Sequence, residues 1–146
     1  MKNVIIKTAI EVHKKHWSMS KHVSRQTRSA QKVTKLWQES VCNDLIKSEV
    51  QVSNNSNEKI DVVDTQGKAA YELKVSGKNS HHEFFKDLFK IITFNLHNNQ
   101  NPIEKFYFIT EESGRKNILN RLDEKFVLMI SDKHKLIIEV ISIAQE

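Results

Sequence analysis

The sequence is poor in the residues that break or staple a chain. Its 146 residues include one proline (Pro102), three glycines (Gly67, Gly77 and Gly114) and one cysteine (Cys42). A lone thiol excludes a disulfide framework and any multi-cysteine zinc site. It fits a reducing, cytoplasmic setting. With so little proline and glycine, no linker is visible, and a single domain of ordinary size is expected. No apolar run approaches the roughly 20 residues that a membrane-spanning helix needs. Lys7 interrupts the N-terminal MKNVIIKTAIEV before a signal-peptide core can form. Neither membrane insertion nor secretion through a cleaved signal is expected. The chain also lacks a glycine-rich phosphate loop, a G-x-S-x-G elbow and an H-E-x-x-H helix, and nothing in it calls for an organic cofactor.

Acidic residues are scarce in one place. Residues 1–36 hold nine Lys or Arg against the single acid Glu11, a charge of +8, whereas the other 110 residues carry −3. A cationic segment on a mildly acidic body attracts polyanions, of which nucleic acid is the commonest. Lys21, Arg25, Arg28 and Lys32 are the candidate phosphate contacts in this segment.

Helical spacing marks residues 4–16 and Ser24 to Ser48, the latter through Ala30, Val33, Trp37, Val41 and Leu45 at intervals of three or four. Period-two runs at 59–64 and 69–75 flank Thr65-Gln66-Gly67-Lys68 and predict a hairpin. Helix resumes at Ser80, with Ser80 as N-cap and Glu83 three residues on. It fades near Asn98. KFYFIT (105–110) reads as a buried strand, 113–122 as a helix, and 126–130 with 135–143 as a closing hairpin. Val50–Ser53 adds a further short strand. The expected fold class is α/β, a mixed central sheet flanked by helices. Residues 1–36 form a basic helical arm, 37–110 the core with the site, and 111–146 a C-terminal helix and strands.

The chemistry concentrates in KIDVVDTQGKAAYELKV (59–75). With Gln66 and Gly67 at the turn, Val62 faces Tyr71 and Asp61 faces Glu72. Ile60, Val62, Tyr71, Leu73 and Val75 then form an apolar face. Asp61, Val63, Ala70, Glu72 and Lys74 form the other. Opposed side chains have Cβ atoms about 4.5–5.5 Å apart, so two carboxylates would meet, and like charges so placed destabilise a hairpin. A shared proton or a divalent cation would offset the repulsion. Two carboxylates completed by water suit Mg²⁺. Lys74 sits beside the pair, able to orient a water or stabilise phosphate charge. On the helix that follows, Lys86 and Lys90 share a face and could reach phosphates. His81 and His82 are adjacent on that helix and make a poor ligand pair.

Asp61 followed by Glu72-Leu73-Lys74 resembles the D…(D/E)-x-K signature of the PD-(D/E)XK nuclease superfamily, with Ile60 standing where the family name has proline. The order of elements over residues 24–110 is similar to that family's restriction-endonuclease-like αβββαβ core, here extended by a C-terminal β-hairpin and the basic arm. The resemblance implies Mg²⁺-dependent endonucleolytic cleavage of DNA, with Mn²⁺ able to substitute. It implies Asp61, Glu72 and the Leu73 carbonyl as metal ligands and Lys74 as their catalytic partner. It also implies a 3′-hydroxyl leaving group, a 5′-phosphate product and a homodimer for cutting a duplex. An acid on the first helix would complete such a site, and Gln38, Glu39 and Asp44 compete for that place. The alternative from another class is a non-catalytic nucleic-acid-binding or interaction module on the same fold.

Overall fold

Apolar residues at helical spacing, then at strand spacing, build ten elements in a computed structural model that describes residues 1–17, 23–75 and 79–144. They are α1 (Lys2–His16), α2 (Val23–Val41), β1 (Ile46–Gln51), β2 (Lys59–Asp64), β3 (Ala69–Lys74), α3 (Ser80–His97), β4 (Lys105–Thr110), α4 (Glu112–Arg121), α5 (Glu124–His134) and β5 (Ile137–Ser142). The strands lie in chain order in one mixed sheet. β1, β2 and β3 run as an antiparallel meander, while β4 and β5 join parallel to β3 and to each other.

Both faces of the sheet are covered. Ile5 and Ala9 of α1, with Val33, Trp37 and Val41 of α2, pack on Val62, Tyr71, Leu73 and Ile109. Phe84, Leu88 and Ile91 of α3, Ile118 of α4 and Ile130 of α5 pack on Val63, Ala70, Phe106 and Phe108. The basic N-terminal segment does not project as an arm over its first helix. α1 buries Ile5 and Ala9 completely, and the Trp37 indole donates to the Ile5 carbonyl at 3.0 Å.

Four expectations give way. The C-terminal hairpin is absent. Phe126–Ile130 lies in α5, because Asp123 accepts the Phe126 N–H at its start and Lys135, left-handed at φ 52°, closes its end. An apolar run of five satisfies a helix as readily as a strand, and here the caps decide. β5 consequently runs parallel to β4 through the α4–α5 crossover. The second helix stops at Val41 rather than Ser48, since the Asn43 side chain accepts from the Leu45 and Ile46 amides and turns the chain into β1. β1 itself spans 46–51, earlier than the strand expected at 50–53. At α3 the N-cap is Asn79, left-handed at φ 58°, and Ser80 is buried with its hydroxyl 3.5 Å from the Gly114 carbonyl.

The 65–68 turn closes as predicted. The Gly67 N–H donates to the Asp64 carboxylate at 3.0 Å, and a Cβ at Gly67 would lie 2.5 Å from that carboxylate. A side chain at this position would have to displace the carboxylate that accepts the turn's hydrogen bond.

Candidate functional site

The antiparallel ribbon breaks its own alternation at one level. Ile46 belongs with the α1–α2 core and Val52 with the α3 core, although both are even-numbered residues at the two ends of one ribbon. Val62 and Ile60 divide the same way. The change falls at Glu49, left-handed at φ 49°, and at Asp61, the residue between Ile60 and Val62. A left-handed non-glycine residue costs about 1–3 kcal/mol and persists only where its surroundings hold it. Ile60 is thus on the face opposite to the one that strict alternation assigns it.

Side chains replace the ladder at Asp61. The β1–β2 register pairs Ser48 with Val62 and Val50 with Ile60, and the β2–β3 register runs from Asp64–Ala69 to Val62–Tyr71. The Asp61 N–H donates instead to Glu72 Oε1 at 3.2 Å, and its carbonyl accepts from Gln38 Nε2 at 3.0 Å. Asp61 Oδ2 accepts the Leu73 N–H at 3.1 Å. Asp61 and Glu72 are therefore brought together, as their spacing predicted, with the Leu73 main chain alongside.

The third helix supplies what the sequence did not reveal. Lys90 Nζ lies 2.8 Å from Glu72 Oε1, 3.0 Å from Asp87 Oδ1 and 2.7 Å from the Lys59 carbonyl. An ammonium has three donors, and all are engaged. Lys90 was expected at a phosphate-facing edge. Its side chain is 7% exposed and held inward by two acids, so it does not face substrate. Asp87 was not anticipated, though a signal existed: it shares the stripe of Phe84, Leu88 and Ile91, an acid at a core position.

Burial, then the like charges of Asp61 and Asp87, push the Glu72 carboxyl well above its usual range. Its carboxyl is within hydrogen-bonding reach of Asp61's. Burial also raises Asp87 to about 6, with Lys90 opposing. Burial by itself would lower Lys90, but Glu72 and Asp87 outweigh it and hold the ammonium charged.

These groups line a cleft of about 800 Å³ between α2 and α3, floored by β2 and β3. Lys74 is one-third exposed there, its ammonium 3.8 Å from Glu83. Lys86 stands on the rim, 3.8 Å from Glu58. Of the three candidates on the second helix, Gln38 touches the site, Glu39 lines the cleft, and Asp44 lies past the helix end outside it. Arg25, Arg28 and Lys32 are exposed on α2, and Lys21 lies outside the described residues. His81 accepts from the Asn117 side-chain amide at 3.0 Å if its Nδ1 is unprotonated. Among the described residues, no three His, Cys, Asp or Glu side chains form a metal cage. The oxygen donors open to a hard cation are the Asp61–Glu72 pair and nearby main chain, a set that suits an ion keeping most of its water. No helix of the described residues is long and apolar enough to cross a membrane. No family model, no curated protein and no solved structure matches this chain.

Proposed function

We propose that the chain is a metal-dependent endonuclease that hydrolyses DNA phosphodiester bonds, on a restriction-endonuclease-like core running from α2 to β4. The observation that carries this reading is the convergence of Asp61 and Glu72, from neighbouring strands, on the floor of a cleft that also holds Lys74. Asp61 and Glu72, with the Leu73 carbonyl, would hold Mg²⁺ or Mn²⁺. Such an ion, when bound, neutralises phosphate charge and makes a bound water more acidic.

The chain's own groups do the rest. Gln38 and Leu73 fix Asp61 from both sides, so its carboxylate is positioned before substrate arrives. Lys74 is only loosely held by Glu83 and can turn toward a phosphate oxygen or a water. Arg25, Arg28 and Lys32 on the exposed side of α2 would grip the backbone without reading sequence. One such site cuts one strand, so a homodimer is the assembly this reading calls for on duplex DNA.

A magnesium-dependent cleavage assay on duplex, branched and single-stranded DNA tests it. Asp61→Ala and Lys74→Ala should lose cleavage. Variants that digest plasmid as well as the parent place the chemistry elsewhere. DNA affinity should drop steeply with salt.

One observation favours the rival reading, a non-catalytic nucleic-acid-binding module. The Lys90 ammonium already offsets the repulsion between the acids, so the cluster can serve structure alone. Failure of every divalent cation to support cleavage of any of these substrates selects that reading.

A further inference from the structure

The acids and Lys90 form a network that is complete without any added ion. Two carboxylates, Glu72 and Asp87, contact one buried ammonium, and Asp61 adjoins Glu72. Lys90 also reaches the Lys59 carbonyl, so a single side chain of α3 ties down β2 and β3 where the acids sit. Its three donors are spent, so it has no hydrogen left for a substrate or a water. It acts as a fixed charge. At the rim, Lys74 and Glu83 offset each other.

We propose that Lys90 is the resident counter-ion of the Asp61–Glu72 pair. It occupies Glu72 before a metal arrives and competes with an entering cation for that carboxylate, which limits the site to one divalent ion of modest affinity. This rests on the reading of Asp61 and Glu72 as cation ligands. The charge balance supports it. Cation binding favours the ionised form of its ligands, and with all three acids ionised the cluster and its ammonium carry −2, which one divalent ion neutralises and a second would exceed. The geometry supports it as well. Lys90 already takes Glu72 Oε1, so an entering ion must share that carboxylate with an ammonium 2.8 Å away. Lys90 therefore acts on the ion indirectly, by competing for Glu72.

The test is Mn²⁺ binding to the free protein, followed by calorimetry and by the loss of the free-ion electron-spin signal. The parent should bind one Mn²⁺. Lys90→Met removes the competing charge, and Mn²⁺ should bind about tenfold more tightly or with a second equivalent. Asp87→Asn leaves Glu72 as the one carboxylate against Lys90, and Mn²⁺ should bind about tenfold more weakly. A merely structural role would weaken binding in both variants, because both disturb the same packing. If Lys90→Met does not fold, Asp87→Asn carries the test, and parent-like affinity in it overturns the proposal. Binding by the parent with both variants unchanged, or both weaker, also overturns it and leaves the cation reading standing. No Mn²⁺ binding in any of the three proteins removes the cation reading, and the proposal falls with it.

Discussion

The two halves of the sheet use similar strands for different ends. In the parallel half, β4 is buried from Phe106 to Thr110, and Phe84, Phe106 and Phe108 pack ring against ring. Its register is unbroken from Lys105–Ile137 to Thr110–Ser142. In the antiparallel half the register has a gap at Asp61, the faces exchange, and charged groups are buried. A regular ladder accommodates core packing. A gap in the ladder makes room for groups that a core would reject, provided that side chains take over the lost hydrogen bonds.

The sharpest way to break this contrast is to remove one residue from each half. Phe108→Ala in the parallel half should cost about 3–5 kcal/mol of stability, read from denaturant unfolding. Lys74→Ala in the other half should leave the unfolding midpoint nearly unchanged while lowering kcat about a hundredfold in the magnesium assay. If Lys74→Ala unfolds the protein instead, the division between packing and chemistry is wrong.

Gln38→Leu comes next. It strands the Asp61 carbonyl and should cost about 1–3 kcal/mol. It should also loosen the site, seen as a higher KM for Mg²⁺.

A pH series sharpens the contrast without mutation. Asp87 is pushed from near 3.8 up to about 6, and Glu72 moves in the same direction. Between those limits the folded state binds more protons than the unfolded one, so stability should fall as pH rises from about 4 to 6. Asp87→Asn should flatten that slope in thermal melts. In the parallel half burial also pushes up Glu111, beside the end of β4, so the difference between the parent and Asp87→Asn isolates the cleft's share. The smallest effect belongs to the Lys2–Glu139 pair, 3.1 Å apart but more than two-fifths exposed on both sides. Lys2→Ala should change stability by no more than about 0.5 kcal/mol, measured by urea unfolding.

Much of this was legible in the sequence where periodicity was strong. The hairpin at 59–74 and the strand KFYFIT follow from alternation and from a turn whose glycine has a steric reason. The opposition of Asp61 and Glu72 was legible from the hairpin, although side-chain hydrogen bonds rather than a ladder pair join them. What was not legible depended on partners remote in sequence. Leu45 continues the apolar stripe of α2, yet the Asn43 side chain ends the helix region before it. Phe126–Ile130 carries no period, so its caps and its packing against α3 and β5 decide its form. Lys90 looks like any surface lysine until β2 and β3 are placed beneath it. The face exchange at Ile60 rests on the backbone angle of Glu49, on a different strand.

Asp61 hangs from Glu72, Gln38 and Leu73 rather than from the sheet's own rungs. Its strand is thus anchored on either side of it but not at it. Changing Gln38 or Glu72 therefore reaches the Asp61 main chain directly, while the paired stretches above and below keep their own rungs. The course of the strand at this level is written in side chains, so a substitution there reshapes main chain as well as charge.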